Sequence, residues 1–198
     1  MSEKNFELVQ GCIASVEGIE NAYQICENCI DSTVSAELIR PLLEGVIEKL
    51  EEPQFFFMEI PCSETEEKQL RKLESDPTHR KVYYLDGCTR EVSLAILKRY
   101  GDLLINDGLT RFGFGSNTTN DEVYVMDYQQ IQVYGMTSYF EPVYKKLGIS
   151  ETHQLRTCWD NFSYENPGVS TSVEIDGERC EDIVENLSKE GMYYAETR

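Results

Sequence analysis

Apolar side chains return at steps of three and four along the first quarter of the chain. Phe6, Val9, Cys12, Ile13, Val16, Ile19 and Tyr23 fall on one stripe of a helical wheel over residues 6–26. Gly11 and Gly18 weaken that pattern. A second stripe, Leu38, Leu42, Leu43, Val46, Ile47 and Leu50, begins behind Ser35 and Pro41 and stops at Pro53, which cannot continue a helix. Two amphipathic helices are therefore expected to open the chain, and residues 1–52 read as its helical part.

Beyond Pro53 the period shortens. Residues 54–60 (QFFFMEI) are aromatic and bounded by two prolines, which predicts a strand with Phe55 and Phe57 on one side. A charged helix over 63–73, a strand over 81–85, a turn at Asp86-Gly87 and a helix over 89–105 follow. Short β-like runs at 109–114, 122–126 and 131–134, separated by polar turns, suit an antiparallel meander. A short helix over 140–147, β-like pieces at 155–159 and 169–175, a turn at Asp176-Gly177, a helix over 180–187 and a strand near 192–195 complete the pattern. The expected fold is α+β, one domain over 1–198, with an N-terminal helical segment packed on a mainly antiparallel sheet in the body 53–198.

Charge changes the picture more than composition does. At 40% hydrophobic and 11% aromatic the chain is an ordinary core-forming sequence, but 36 acidic residues against 18 basic ones leave a formal net charge of −18. Direct binding of nucleic acid needs a basic face, so that class is excluded. No stretch approaches the ~18 apolar residues of a membrane span, and no basic and apolar leader opens the sequence, so a cytoplasmic protein without membrane contact is expected. The seven cysteines are odd in number and irregularly spaced, which reads as reduced thiols packed mostly in the core.

The motifs that carry chemistry elsewhere are incomplete here. Cys26 and Cys29 have C-x-x-C spacing, yet no second ligand pair accompanies them and they close a helical pattern, so neither a metal nor another cofactor is expected. Gly113-Phe114-Gly115-Ser116-Asn117 lacks the Gly-Lys-Ser/Thr of a phosphate loop and reads as a turn or bulge between strands. Glu66-Glu67-Lys68 reads as a solvated helix face. The two histidines, His79 and His153, stand beside no nucleophile motif, and no catalytic residue is assigned.

What remains is acid interleaved with aromatic residues in the second half. Asp121, Glu122, Tyr124, Asp127, Tyr128, Tyr139, Glu141, Asp160 and Glu165 form the expected partner-binding set. Carboxylates steer a basic partner in, and aromatic rings anchor it. The expected function is binding and neutralisation of a basic protein, such as a nuclease toxin or another nucleic-acid-handling protein, with carboxylates standing in for phosphates. In size and charge the chain is similar to toxin-immunity proteins and phage-encoded inhibitors as a class, without a motif of any one family. The alternative is a small-ligand-binding or hydrolytic enzyme with a cleft between the N-terminal helices and the sheet.

Overall fold

The computed structural model describes residues 6–73 and 76–198. In chain order its elements are β1 (Cys12–Ile13), β2 (Ala22–Ile25), β3 (Cys29–Thr33), α1 (Ala36–Ile47), β4 (Gln54–Pro61), α2 (Glu64–Leu70), β5 (Arg80–Cys88), α3 (Arg90–Asn106), β6 (Arg111–Ser116), β7 (Glu122–Val125), β8 (Gln130–Tyr134), α4 (Thr137–Lys146), β9 (Ser150–Glu151), β10 (Val169–Ser170), α5 (Cys180–Ser188) and β11 (Tyr193–Thr197). Nine strands form one sheet in the order β11-β5-β4-β6-β7-β8-β3-β2-β9. Every pairing in it is antiparallel except β2 with β9. The mixed α+β class and the mainly antiparallel sheet are those the sequence predicts.

Strand alternation sorts the sheet into two unlike faces. Phe56, Met58 and Ile60 of β4, Phe112 and Phe114 of β6, Val123 and Val125 of β7, Ile131 and Val133 of β8 and Ile30 of β3 point to one side. There they meet Ile39, Leu42, Leu43, Val46 and Ile47 of α1, Ile96, Leu97, Leu103 and Leu104 of α3, Phe140 and Tyr144 of α4, and Ile183 and Leu187 of α5. These side chains are almost all excluded from solvent, and burying each is worth ~1.5–3 kcal/mol relative to leaving it exposed. Between α1 and the sheet these side chains form the core.

The predicted helix over 6–26 is not formed. Its segment runs as loop and two short strands, although Val9, Cys12, Ile19 and Tyr23 are buried as the apolar pattern requires. The reason lies at Gly11, whose N–H donates to the Asn106 carbonyl at 2.8 Å, while a Cβ there would lie 2.3 Å from the Gly108 amide nitrogen. The chain is held against the 106–108 loop and β10 rather than coiled on itself. Gly18, at φ +67°, adds a left-handed residue that a helix does not accept. Residues 6–52 therefore hold one helix, α1, and three strands.

Three smaller expectations also fail, the first being the β-like run over 169–175, of which only Val169–Ser170 form a strand. Gly113 and Gly115 lie inside β6 and not in a turn, which comes later at 117–121. Residues 155–159 form no strand: Thr157 and Asp160 make a capping box on a 3₁₀ turn over Cys158–Asn161, which sends Cys158 inward and leaves Trp159 half exposed. Helices α2, α3, α4 and α5 overlap the ranges the pattern gives, though α2 stops at Leu70 and α4 starts at Thr137; α2 is opened by a Ser63–Glu66 capping box and α3 by the Thr89 hydroxyl.

Side chains of the polar core tie distant loops together. The carboxylate of Asp107 accepts from the amides of Leu109, Thr110 and Val173 at 2.8–3.1 Å, joining the end of α3 to the C-terminal third. Gln129 accepts from the Val9 amide at 2.8 Å and donates to the Glu7 and Val34 carbonyls at 3.1 and 2.8 Å. It does so from a left-handed backbone, φ 53° at Tyr128 and 61° at Gln129. That turn swings both side chains to the core side.

Candidate functional site

Among the described residues no helix packs on the second face of the sheet. Register places Tyr193, Tyr84, Phe57, Gly113, Tyr124, Gln132 and Asp31 in one row across seven strands. Phe57 stacks on Tyr84 with ring centroids 5.7 Å apart and leans on Tyr124 at 5.3 Å; Phe55 meets Phe57 at 6.1 Å and Tyr84 at 5.8 Å. The two glycines of β6 make this possible. A Cβ on Gly113 would lie 2.5 Å from the Phe57 ring, and one on Gly115 2.2 Å from the Phe55 ring. The rings pack against the side-chain-free backbone of β6, and Phe57 is buried among Phe55, Tyr84 and Tyr124.

Beside the rings runs a line of charge. Glu59, buried on β4, accepts from the Tyr124 hydroxyl at 2.9 Å and from Arg198 at 3.3 Å. Arg111 approaches the same carboxylate to 4.0 Å and makes a two-toothed pair with Asp127 at 2.9 and 2.5 Å, which raises its guanidinium pKa. Arg80 adds a third contact to Asp127 at 3.2 Å and caps the Leu109 carbonyl. Burial and the Glu59 charge push the Tyr124 phenol up from its usual value, so it stays a donor. Asp31 accepts from Gln130 at 3.0 Å on both oxygens.

Glu122 differs from these. It sits in the next row, between Gly115 of β6 and Tyr134 of β8, with Cys29 beyond Tyr134. Among the described residues its side chain has no hydrogen bond and no ion pair within 4.0 Å. Burial pushes its pKa up to about 7, opposed by Arg198 and assisted by Glu59.

The nine residues singled out from the sequence do not form one surface. Glu122, Tyr124 and Asp127 belong to the second face, and Asp127 is fully engaged by arginines. Asp121 lies in the preceding loop, bonded to Thr119 at 2.7 Å. Tyr128 is buried on the core side against Trp159 and Phe162, with centroids 5.0 and 4.8 Å away. Tyr139 and Glu141 ride on α4, where Tyr139 reaches the Lys49 carbonyl at 3.2 Å and Glu141 takes the Tyr23 hydroxyl at 3.0 Å. Asp160 caps its own turn through Thr157 at 2.7 Å, and Glu165 is exposed in the 163–168 loop.

Sequence reasoning passed over Phe55, Phe57, Glu59, Tyr84, Arg111, Tyr134 and Arg198. One signal for them exists: Glu59 shares the parity of Phe55 and Phe57 in a strand whose other residues after Gln54 are apolar.

The C-x-x-C pair proves to flank the β2–β3 hairpin tip rather than to end a helix. The Cys26 amide donates to the Cys29 carbonyl at 2.8 Å, and burial with the adjoining Cys26 thiol pushes Cys29 up to about 11. No group of three or more His, Cys, Asp or Glu side chains among the described residues is arranged to hold a metal ion. Five of the seven free cysteines are buried, Cys29 is half-buried and Cys26 exposed. Among the described residues no helix is long and apolar enough to cross a membrane.

No protein-family model matches the chain, and comparison with curated proteins and with solved structures finds no significant match.

Proposed function

We propose that this protein binds a basic protein target and neutralises it, using the helix-free face of its sheet as the recognition surface. One observation carries this reading: on a chain of net charge −18, one face of the sheet is covered by no helix among the described residues, and on it the partly exposed rings of Phe55, Tyr84, Tyr124, Tyr134 and Tyr193 lie in adjoining rows beside the unpaired carboxylate of Glu122. Flat aromatic area supplies anchoring energy at low entropic cost, and the surrounding negative potential favours a cationic partner over nucleic acid. The contact set is therefore narrowed to Glu122, Tyr124, Tyr134, Phe55, Tyr84 and Tyr193, with Glu59 and Asp127 holding the network behind them. Occlusion of a nucleic-acid-binding groove, in the manner of an immunity protein or phage inhibitor, is the form of neutralisation that the charge supports.

The test is affinity capture from source cells with the wild type and with a face variant, Tyr84→Ser/Tyr193→Ser, each eluted in steps of salt. A basic protein held by the wild type, released by salt and absent from the variant's eluate is the expected result. Equal recovery on both baits sinks the assignment to this face.

A further inference from the structure

Among the described residues, the carboxylates of the strands on the helix-free face are engaged by the chain with one exception. Glu59 is taken by Tyr124 and Arg198, Asp127 by Arg80 and Arg111, and Asp31 by Gln130. Glu196 is taken by Arg198, and Asp86 by Tyr193 at 2.7 Å. Glu122 is the exception, and its position is unusual for an unpaired charge. The backbone of Gly115 flanks it on one side with the Phe55 ring laid over that glycine, and Tyr134 lies opposite on the other. Tyr124 follows two residues along on the same face. The cation that acts on it, Arg198, is already committed to Glu59 and Glu196 at 3.3 and 2.7 Å. A partly buried carboxylate in the same sheet row as Phe55 and Tyr134, with no hydrogen bond or ion pair among the described residues, costs the fold stability unless something outside the chain supplies the positive charge.

We propose that the Glu122 position, with Phe55 and Tyr134 as its walls, is a receptor for a single guanidinium group, the side chain of an arginine on the partner. The chemistry selects this group. A guanidinium is planar, offers parallel N–H donors to both carboxylate oxygens, and is hydrated weakly enough to stack on a phenyl or phenol ring while doing so. An alkylammonium satisfies one oxygen and keeps more of its water. Anions are repelled by Glu122 and Glu59 together. The Tyr134 hydroxyl is held by Gln132 at 2.5 Å, which fixes its ring beside the carboxylate rather than leaving it to be ordered on binding. This inference rests on the face being a recognition surface for a basic partner and names the contact at its centre.

The experiment uses the intact chain and three capped amino-acid amides in a ¹⁵N chemical-shift titration: N-acetyl-argininamide, its neutral isostere N-acetyl-citrullinamide, and N-acetyl-lysinamide. Saturable shifts of the Gly115, Glu122 and Tyr134 amides with the arginine derivative, and none with citrulline, are expected. Glu122→Gln should weaken that binding roughly tenfold or more, and Tyr134→Leu about two- to fivefold through the lost cation–π contact. The proposal falls if arginine gives no saturable shift, if citrulline or lysine binds as well, or if Glu122→Gln binds arginine like the wild type. Both variants change side chains at the sheet surface, and an unchanged amide spectrum elsewhere establishes that they fold. Failure here is separable from failure of the functional reading. A basic protein captured through this face without arginine binding leaves the surface and removes the receptor. Arginine binding without any captured protein does the reverse.

Discussion

Glu122 carries its own thermodynamic signature. Its folded pKa of about 7 lies above the ordinary carboxylate value of 4.5, so the native state holds a proton that the unfolded chain has released between those two pH values. Stability contributed by that proton is present at low pH and is lost as pH rises through 7, the reverse of an ion-paired carboxylate. The full penalty above pH 7 is on the order of 3 kcal/mol from a shift of this size. Glu122→Gln is accordingly expected to raise the melting temperature by several degrees at pH 8, with the gain shrinking toward pH 5. Calorimetry at the two pH values checks it, and a gain independent of pH would show that burial does not load this carboxylate. A second residue-level expectation concerns the hairpin thiols. Cys29, at about 11, has little thiolate at pH 8 and is half-buried, whereas Cys26 is exposed. Iodoacetamide at pH 8 should alkylate Cys26 first and Cys29 only slowly, as read by peptide mass mapping; equal rates would mean that the thiols do not touch as described.

At the scale of elements, the second face exists because β6 alternates large inward side chains with glycine outward. Phe112 and Phe114 fill the core, while Gly113 and Gly115 lie under the outer rings. A Cβ at Gly113 would come within 2.2 Å of the Val123 carbonyl, which belongs to the neighbouring strand and cannot move without breaking the ladder. At Gly115 the two closest atoms belong to the Phe55 ring, which can swing, and the nearest backbone atom, the Asp121 carbonyl oxygen, is farther off at 2.9 Å. Gly113→Ala is therefore expected to cost ~2–3 kcal/mol and Gly115→Ala less, in urea denaturation, by the usual penalty for overpacking. Gly115→Ala should nevertheless disturb the Glu122 surroundings, because Phe55 is displaced. The same strand shows what could be read in advance. Inside a period of two, β4, β5, β7, β8 and the sidedness of Phe55 and Phe57 were legible, and α1 and α3 were legible from their stripes and caps. The N-terminal segment was not, since Val9, Cys12, Ile19 and Tyr23 repeat at helical spacing by coincidence while Gly11 is pinned to a loop almost a hundred residues away. Glycine in β6 misled for the opposite reason: it signals a turn locally, and only the facing Phe55 and Phe57 rings explain it. The pairing of Glu122 with Tyr134 and Gly115 depends on register, which no local pattern states.

For the whole molecule, the charge of −18 and the local receptor act on different rates. Long-range potential sums over the entire surface and governs encounter, whereas contacts formed after docking govern escape. The exposed acids Glu44, Glu48 and Glu51, at and just after the end of α1, contribute to the field but lie on the helical side, away from the sheet face proposed to bind. Neutralising them together, Glu44→Gln/Glu48→Gln/Glu51→Gln, should slow association with the captured partner a few-fold at low salt and leave dissociation unchanged. The difference should vanish near 0.5 M salt, where the screening length is only a few ångströms. Glu122→Gln should do the opposite, changing the charge by one unit and so barely altering association, while speeding dissociation roughly tenfold or more through the lost charge-assisted contact. Surface plasmon resonance at two salt concentrations separates the two. Were the α1 triple variant to accelerate dissociation instead, the acidic helix would itself be in contact with the partner, and the binding surface would have to be moved to the other side of the sheet.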